Sequence, residues 1–429
     1  MNLRGALGNV LEKSIVIVGA GHAGITCAAS LRRLGFEGFL TIVDSQEGFP
    51  VEKPPLSKGA ILNGCIKEYS IPLLKPETWY SENRIDLKTG ITVTSIDRVA
   101  KKINLSDENS IPYTKLVIAT GATPIELGIT KIHPQSFTLR TSDDANRISK
   151  AAENFKSALI IGGGYIGLEV AASLTERGLN VTVVETEDRL LARVSSSTIA
   201  ERLVKLHEKR GVSFIFNESV VRVDQSEKGF HAVLHTGTHV MAEMIVTGVG
   251  VVPTSALASS CFLAQNDDDK NSICVDENYM TSDSDIFAIG DVAKRTGTEK
   301  RIESVDNAQE DGRLVAAFLM KEHAPSRGVP WFWSDQYEMT LQIAGLVPAN
   351  NPDIKTFLRP GKRDDGFSIW SFVDNELRSV ESFSDAGSFM IGKKFLSEGL
   401  SPLGVEIGDT SIDLKTVFKR MKIEETNAI

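Results

Sequence analysis

Ile15-Val-Ile-Val-Gly19-Ala-Gly21-His-Ala-Gly24 is the stretch that decides the fold, and Ala158-Leu-Ile-Ile-Gly162-Gly-Gly164-Tyr-Ile-Gly167 repeats it. In each, a short apolar, largely β-branched run reads as a buried strand that ends in a glycine turn. After the first turn, residues 25–34 read as a helix stopped by Gly35, and residues 39–43 as a second strand ending at Asp44. After the second, a helix runs to about Arg177 and stops at Gly178, and a strand over 181–184 ends at Glu185. A whole strand–helix–strand unit is therefore duplicated, which is unlike a short-period solenoid.

Each glycine of such a fingerprint has its own task. The first makes the tight turn out of the strand, the second lets backbone approach a pyrophosphate, and the third lets helix and strand pack closely. The helix N-terminus then offers free N–H groups and the positive end of its dipole to phosphate. Asp44 and Glu185 each follow the third glycine at the spacing of about 20 residues expected of an acid that takes ribose hydroxyls. One fingerprint alone is a weak signal, but two complete copies predict two dinucleotides, which for redox chemistry means a flavin and a nicotinamide. Glu185 welcomes a free 2′-hydroxyl and repels a 2′-phosphate, so the second site is expected to prefer NADH; Arg189 is the one nearby cation that weighs against this. The candidate nucleotide contacts are Gly19, Gly21, Ala23, Gly24 and Asp44 in the first copy. In the second they are Gly162, Gly164, Tyr165, Ile166, Gly167 and Glu185.

Working outward, Leu116-Val-Ile-Ala119-Thr120-Gly121 and Glu243-Met-Ile-Val-Thr-Gly248-Val-Gly250 are strands running into glycine turns. Asp285-Ile-Phe-Ala-Ile-Gly290-Asp291 is another. From Pro330 the character changes to clustered aromatics (Trp331, Phe332, Trp333, Tyr337) and short alternating segments, which read as a smaller α+β domain over 330–429. The fold class is thus α/β: two Rossmann-like dinucleotide-binding domains in a glutathione-reductase-like layout, plus a C-terminal α+β domain.

The totals agree. A chain of 429 residues exceeds a single core and calls for two or three domains. A net charge of −9 without long like-charge runs argues against nucleic acid as a partner. No segment reaches the roughly 18 apolar residues of a membrane span, and Met1 to Lys13 does not read as a signal peptide. The expected address is cytoplasmic, with no membrane partner. Cys27, Cys65, Cys261 and Cys274 form no close pair, so neither a disulfide framework nor a zinc site is expected, and a reducing compartment fits.

These residues resemble a family, the FAD-dependent, NADH-utilising ferredoxin reductases of bacterial oxygenase systems. The marks are the two fingerprints, Pro54-Pro-Leu-Ser-Lys58, Ala119-Thr-Gly121, Gly162 to Glu169, Gly290-Asp291, Arg301-Ile-Glu-Ser-Val-Asp-Asn307-Ala and Pro330-Trp-Phe-Trp-Ser-Asp-Gln336. The resemblance implies an FAD domain over 14–125 and 251–329, an NADH domain over 126–250 and a C-terminal reductase domain over 330–429. It also implies that Lys53 and Lys58 lie near FAD, Lys58 close to the flavin ring, where a cation favours the reduced, anionic form. Glu169 becomes the acid of the nicotinamide–flavin junction and a candidate partner of Lys58. Asp291 meets the ribityl chain, Glu303 and Trp333 flank the ring, and Gly250 and Val305 join the cofactor contacts. Lys58, Glu169 and Trp333 are the candidate catalytic residues. Two departures bear on local contacts: Pro124 is followed by Ile125 and Glu126 where the family often has Arg, and Thr254 stands where it often has Asn.

Relatives that relay electrons through thiols need a Cys pair, or one Cys beside the flavin, on the first domain. Ser45 through Ala60 contains none, and Cys65 reads as structural. The flavin is therefore expected to pass electrons directly to an outside acceptor, and the resemblance implies that this is a [2Fe–2S] ferredoxin feeding a Rieske-type or P450 oxygenase. The docking candidates for that acidic partner are Lys300, Arg301, Arg313, Lys393, Lys394 and Lys415. Rubredoxin, a quinone or a small molecule is the alternative acceptor. A binding role like that of apoptosis-inducing factor is disfavoured by the lack of a presequence and of a basic balance.

Overall fold

The computed structural model describes residues 13–63, 71–131, 133–226, 229–323, 325–348 and 351–428. Cys65 lies outside them. The chain forms two compact units. The first is built from residues up to Glu52, Ile71–Thr123 and Val251–Arg327, the second from Lys53–Ser70, Pro124–Gly250 and Gly328–Ile429.

The first unit is organised by a five-stranded parallel sheet in the order Ile286–Ala288, Lys115–Ile118, Ser14–Val18, Phe39–Val43, Ile85–Lys88. The fingerprint strand is central, with Val16 opposite both Thr41 and Leu116. A central parallel strand is covered on both faces, and Ser14–Val18 is accordingly buried throughout. The fingerprint helix is His22–Arg33, three residues longer at its start than the periodicity indicates. Gly21 is its N-cap in an extended conformation, so the first turn already contains the third glycine. A Cβ on Gly24 would lie 2.0 Å from the Gly19 carbonyl oxygen, so only glycine lets this helix start so close to the strand.

The second unit repeats the plan. Its parallel sheet runs Ser213–Ile215, Asn180–Val184, Ser157–Ile161, Met244–Thr247, Ser136–Phe137. The fingerprint strand is again flanked by the strand bearing the terminal acid and by the strand that leads into a glycine turn. Its helix is Tyr165–Glu176, and Gly167 meets the Gly162 carbonyl as Gly24 meets that of Gly19. The same unit holds the C-terminal antiparallel sheet, ordered Trp331–Gln336, Met339–Gly345, Glu376–Phe383, Phe367–Val373, Lys355–Pro360. Leu341, Ile343, Ile369 and Phe383 on one of its faces pack with Leu168, Leu190 and Leu203. Trp370, Val380, Phe395 and Val417 form the core on its other side.

Lys53–Ser70 belongs with the second unit through specific bonds. The Ser173 hydroxyl donates to the Ser57 carbonyl at 2.7 Å, and Arg177 to that of Ile61 at 2.8 Å. Among the described residues no helix is long and apolar enough to cross a membrane.

Trp370 is fully buried at the centre of the C-terminal core. Trp370→Ala should cost about 3–5 kcal/mol, read as a lower urea midpoint by far-UV circular dichroism.

Candidate active site

In the first unit the fingerprint, the Asp44 strand end and the Ala119–Gly121 turn come together. Asp44 accepts the Ala20 N–H at 2.6 Å through one carboxylate oxygen and the Gln46 N–H at 2.8 Å through the other. A Cβ on Gly19 would lie 2.2 Å from the Ala119 carbonyl oxygen, so the two turns abut. Thr120 donates to the Thr254 carbonyl at 2.7 Å, and the Thr254 hydroxyl meets that of Thr123 at 2.8 Å. Where the family often has Asn, Thr254 thus braces this turn.

Gly290 has φ +71°, and a Cβ on it would meet the Ala23 methyl at 3.0 Å. Its N–H donates to the buried Asp311 at 3.0 Å. Tyr279, Arg327 and Asn307 also donate to that carboxylate, at 2.7, 2.9 and 3.2 Å. Burial pushes the Asp311 carboxyl up, while Arg327 and the other donors pull it down. Val305 is the first residue of the helix Val305–Leu319, which Ser304 caps through the Asn307 N–H.

Glu303 pairs with Arg301 at 2.7 Å, and Arg301 also reaches Asp269 at 3.2 Å and the Asp291 carbonyl. The Arg301 side chain is only 4 % exposed. This corrects its reading as a docking cation: three acceptors already consume the guanidinium. Arg313 is bonded to Glu310 on its own helix at 3.0 Å, which weakens it for the same purpose. Lys300, Lys394 and Lys415 are exposed. Lys393 lies with its ammonium 5.0 Å from the centre of the Trp331 ring.

In the second unit Glu185 accepts the Gly163 N–H at 2.6 Å and the Glu187 N–H at 2.9 Å. Arg189 is spent on the Ser195 and Ala192 carbonyls, at 2.9 and 2.8 Å, so the cation that clouded the NADH preference is committed to its own loop. Gly250, at φ +110°, offers its carbonyl to the Ile125 N–H at 2.9 Å. Ile166 is exposed at the helix start, and Tyr165 packs on Phe332 with ring centres 4.5 Å apart.

Within the same helix, Glu169 forms an ion pair with Lys58 at 2.9 Å, with side-chain exposures of 4 % and 21 %. Pro54–Ser57 is a tight 3-10 turn, and the Lys58 ammonium also bonds the Pro54 carbonyl at 3.2 Å. Lys53 is the residue that leads into this turn. Glu169 accepts two further hydroxyls, from Ser57 and, at 2.6 Å, from Ser334. Trp333 stacks on Trp331 at 5.3 Å. Sequence reasoning singled out Lys58 and Glu169 and missed the two serines, although both lie inside the quoted motifs.

These residues suit the nucleotides that the fingerprints call for. Both fingerprint helices start at a glycine with no side-chain cap and no acid in the first turn. Their first N–H groups therefore lack the usual local acceptor, which is the property of an anion site. Open space surrounds the Gly21 Cβ position. Among the described residues Cys27, Cys261 and Cys274 are free thiols, and burial pushes all three up, Cys27 to about 12.

Residues 13–312 match the pyridine nucleotide-disulphide oxidoreductase family, and residues 331–418 match the reductase C-terminal domain. The chain belongs to the pyridine nucleotide-disulphide oxidoreductases. It is 37 % identical to rhodocoxin reductase of Rhodococcus erythropolis over 95 % of each chain. With putidaredoxin reductase of Pseudomonas putida the identity is 32 %, over 97 % of this chain and 99 % of that one. Among solved structures, a ferredoxin reductase from Rhodopseudomonas palustris superposes with a TM-score of 0.89 at 32 % identity, covering 94 % of this chain and 99 % of its own. Putidaredoxin reductase in covalent complex with putidaredoxin gives 0.88 at 31 %, covering 96 % and 99 %. This oxidoreductase is an NADH-dependent flavoprotein with FAD as its cofactor.

Two outcomes follow. Glu185→Ala should raise the KM for NADH and narrow its advantage over NADPH by roughly tenfold, measured as kcat/KM for each nucleotide with ferricyanide as acceptor. The second concerns His207, which is fully buried. Burial depresses its imidazole to about 4, against an ordinary 6.5. Between those values the unfolded chain binds the extra proton, so this stability is complete above about 6.5 and is lost as pH falls toward 4. Wild type should lose about 2 kcal/mol from this group between about pH 7.5 and pH 5. Urea unfolding at both pH values should show that share removed in His207→Gln.

Proposed function

We propose that this oxidoreductase carries electrons from NADH through FAD to a [2Fe–2S] ferredoxin that feeds a Rieske-type or P450 oxygenase. The reading assigns residues 14–125 and 251–329 to FAD, 126–250 to NADH and 330–429 to a reductase domain. Its main support is the Lys58–Glu169 pair, whose carboxylate Ser334 of the C-terminal domain also bonds. With no Cys between Ser45 and Ala60, electrons would pass from the flavin directly to the outside acceptor.

Bound FAD supplies the change from hydride acceptance to single-electron delivery. The chain's own residues do the rest. Asp44 and Glu185 take ribose hydroxyls, and the uncapped helix starts at Gly21 and Gly164 take the pyrophosphates. Lys58 places positive charge where negative charge develops, and Glu169 holds that ammonium in place. Lys53, Asp291, Glu303, Val305 and Trp333 serve as further cofactor contacts. Lys393 on the Trp331 face, with Lys394 and Lys415, receives an acidic ferredoxin, and Lys300 is a separate candidate contact. We place the enzyme in the cytoplasm, where Cys27, Cys261 and Cys274 stay free thiols.

The test is NADH-dependent cytochrome c reduction with and without an added [2Fe–2S] ferredoxin. A large ferredoxin-dependent increase is expected; no increase across several ferredoxins, with fast ferricyanide reduction retained, would move the acceptor elsewhere. Lys393→Glu should weaken ferredoxin reduction roughly tenfold while sparing ferricyanide reduction, and equal loss in both assays would refute the docking face.

A further inference from the structure

Side chains alternate across a strand, so Ser334 and Gln336 fall on one face of Trp331–Gln336, the face opposite Trp333. Both are buried, at 0 % and 1 % exposure. Ser334 donates to Glu169 at 2.6 Å, Gln336 Nε2 donates to the Ser334 hydroxyl at 3.1 Å, and Gln336 Oε1 is 2.8 Å from His207 Nε2. The Tyr337 hydroxyl lies 3.3 Å from His207 Nδ1.

The hydrogens in this chain have one consistent arrangement. Ser334 has a single proton, and a carboxylate partner requires that Ser334 be the donor. The serine oxygen then accepts from the Gln336 amide nitrogen, which turns the amide oxygen toward His207. His207 must therefore carry its proton on Nε2, which leaves Nδ1 to accept from Tyr337. Every bond points toward Glu169. Such aligned bonds reinforce one another in a low-dielectric interior. An amide in the middle does not readily relay protons, so the chain orients rather than conducts. The groups around it are Lys58, Glu169 and Tyr165 at one end, and His207, Tyr337, Arg210, Glu176 and Glu338 at the other.

We propose that Ser334, Gln336 and His207 are positioning residues for hydride transfer, forming a one-way donor chain that fixes the Glu169 carboxylate and, through it, the Lys58 ammonium. This rests on the reading that the site uses NADH and FAD.

The experiment is anaerobic stopped-flow reduction of the FAD-loaded enzyme by NADH, followed by flavin absorbance. Ser334→Ala and Gln336→Leu should each slow the limiting rate by between roughly tenfold and a hundredfold, with the NADH dissociation constant within about twofold of wild type. In a Glu169→Gln background neither change should slow it further, because both act through that carboxylate. Gln336→Glu supplies a readout within one folded protein. Its protonated carboxyl can imitate the amide, whereas the ionised form draws the Ser334 proton to itself and away from Glu169. Its rate should therefore approach wild type at low pH and fall as pH rises, relative to the wild-type profile. Unchanged limiting rates, losses that multiply in the Glu169→Gln background, or a Gln336→Glu profile parallel to wild type would each overturn the chain. A wild-type enzyme that NADH does not reduce would overturn both the chain and the functional reading. One that NADH reduces but that fails to reduce ferredoxin would overturn the acceptor alone.

Discussion

The whole architecture depends on one close approach made twice: the backbone of a helix start against the carbonyl that ends the preceding strand. A Cβ at Gly24 or Gly167 would lie 2.0 or 2.2 Å from that oxygen, far inside van der Waals contact. Because the third glycine removes the obstacle, the helix starts directly over the strand end with uncapped N–H groups. The acids at the next strand ends are fixed by the same turns, each bonded to a backbone N–H of the glycine loop. The uncapped helix starts and the fixed acids are both consequences of this packing constraint.

Chemistry beyond nucleotide binding depends on a different principle, the cost of burying a charge. Glu169 is 4 % exposed and would be expensive without partners. Lys58, Ser57 and Ser334 supply them, and two come from the turn Pro54–Lys58, whose prolines hold the backbone in a tight curve. Asp311 shows the same logic in the first unit, where Tyr279, Arg327, Asn307 and the Gly290 N–H surround a buried carboxylate. There the effect is to hold the Gly290–Asp291 turn at the end of its strand.

Local order decided most of what could be read directly. The strand–helix–strand duplication, the acids at its ends and the alternating segments of the C-terminal α+β domain all follow from short-range periodicity and glycine placement, whereas the antiparallel pairing of those segments came from the fold. Helix starts were less legible, because the first turn of each fingerprint helix lies within the glycine motif itself. Docking charges were the least legible. Lys300 and Arg301 are adjacent cations, yet one is exposed and the other is enclosed by Asp269, Glu303 and the Asp291 carbonyl.

The sequence by itself determined the two fingerprints, the acids Asp44 and Glu185 at the ends of their second strands and the lack of a Cys between Ser45 and Ala60, because each rests on residue type at a fixed local spacing. Only the tertiary structure decided which partners a buried group acquires. His207, Gln336, Ser334 and Glu169 are linked into one chain, yet His207 and Glu169 are 129 and 165 residues away from the partners they bond in the C-terminal sheet. Hydrogen bonding is directional and short-ranged, so its partners become defined only when the folded chain brings them within about 3 Å of one another.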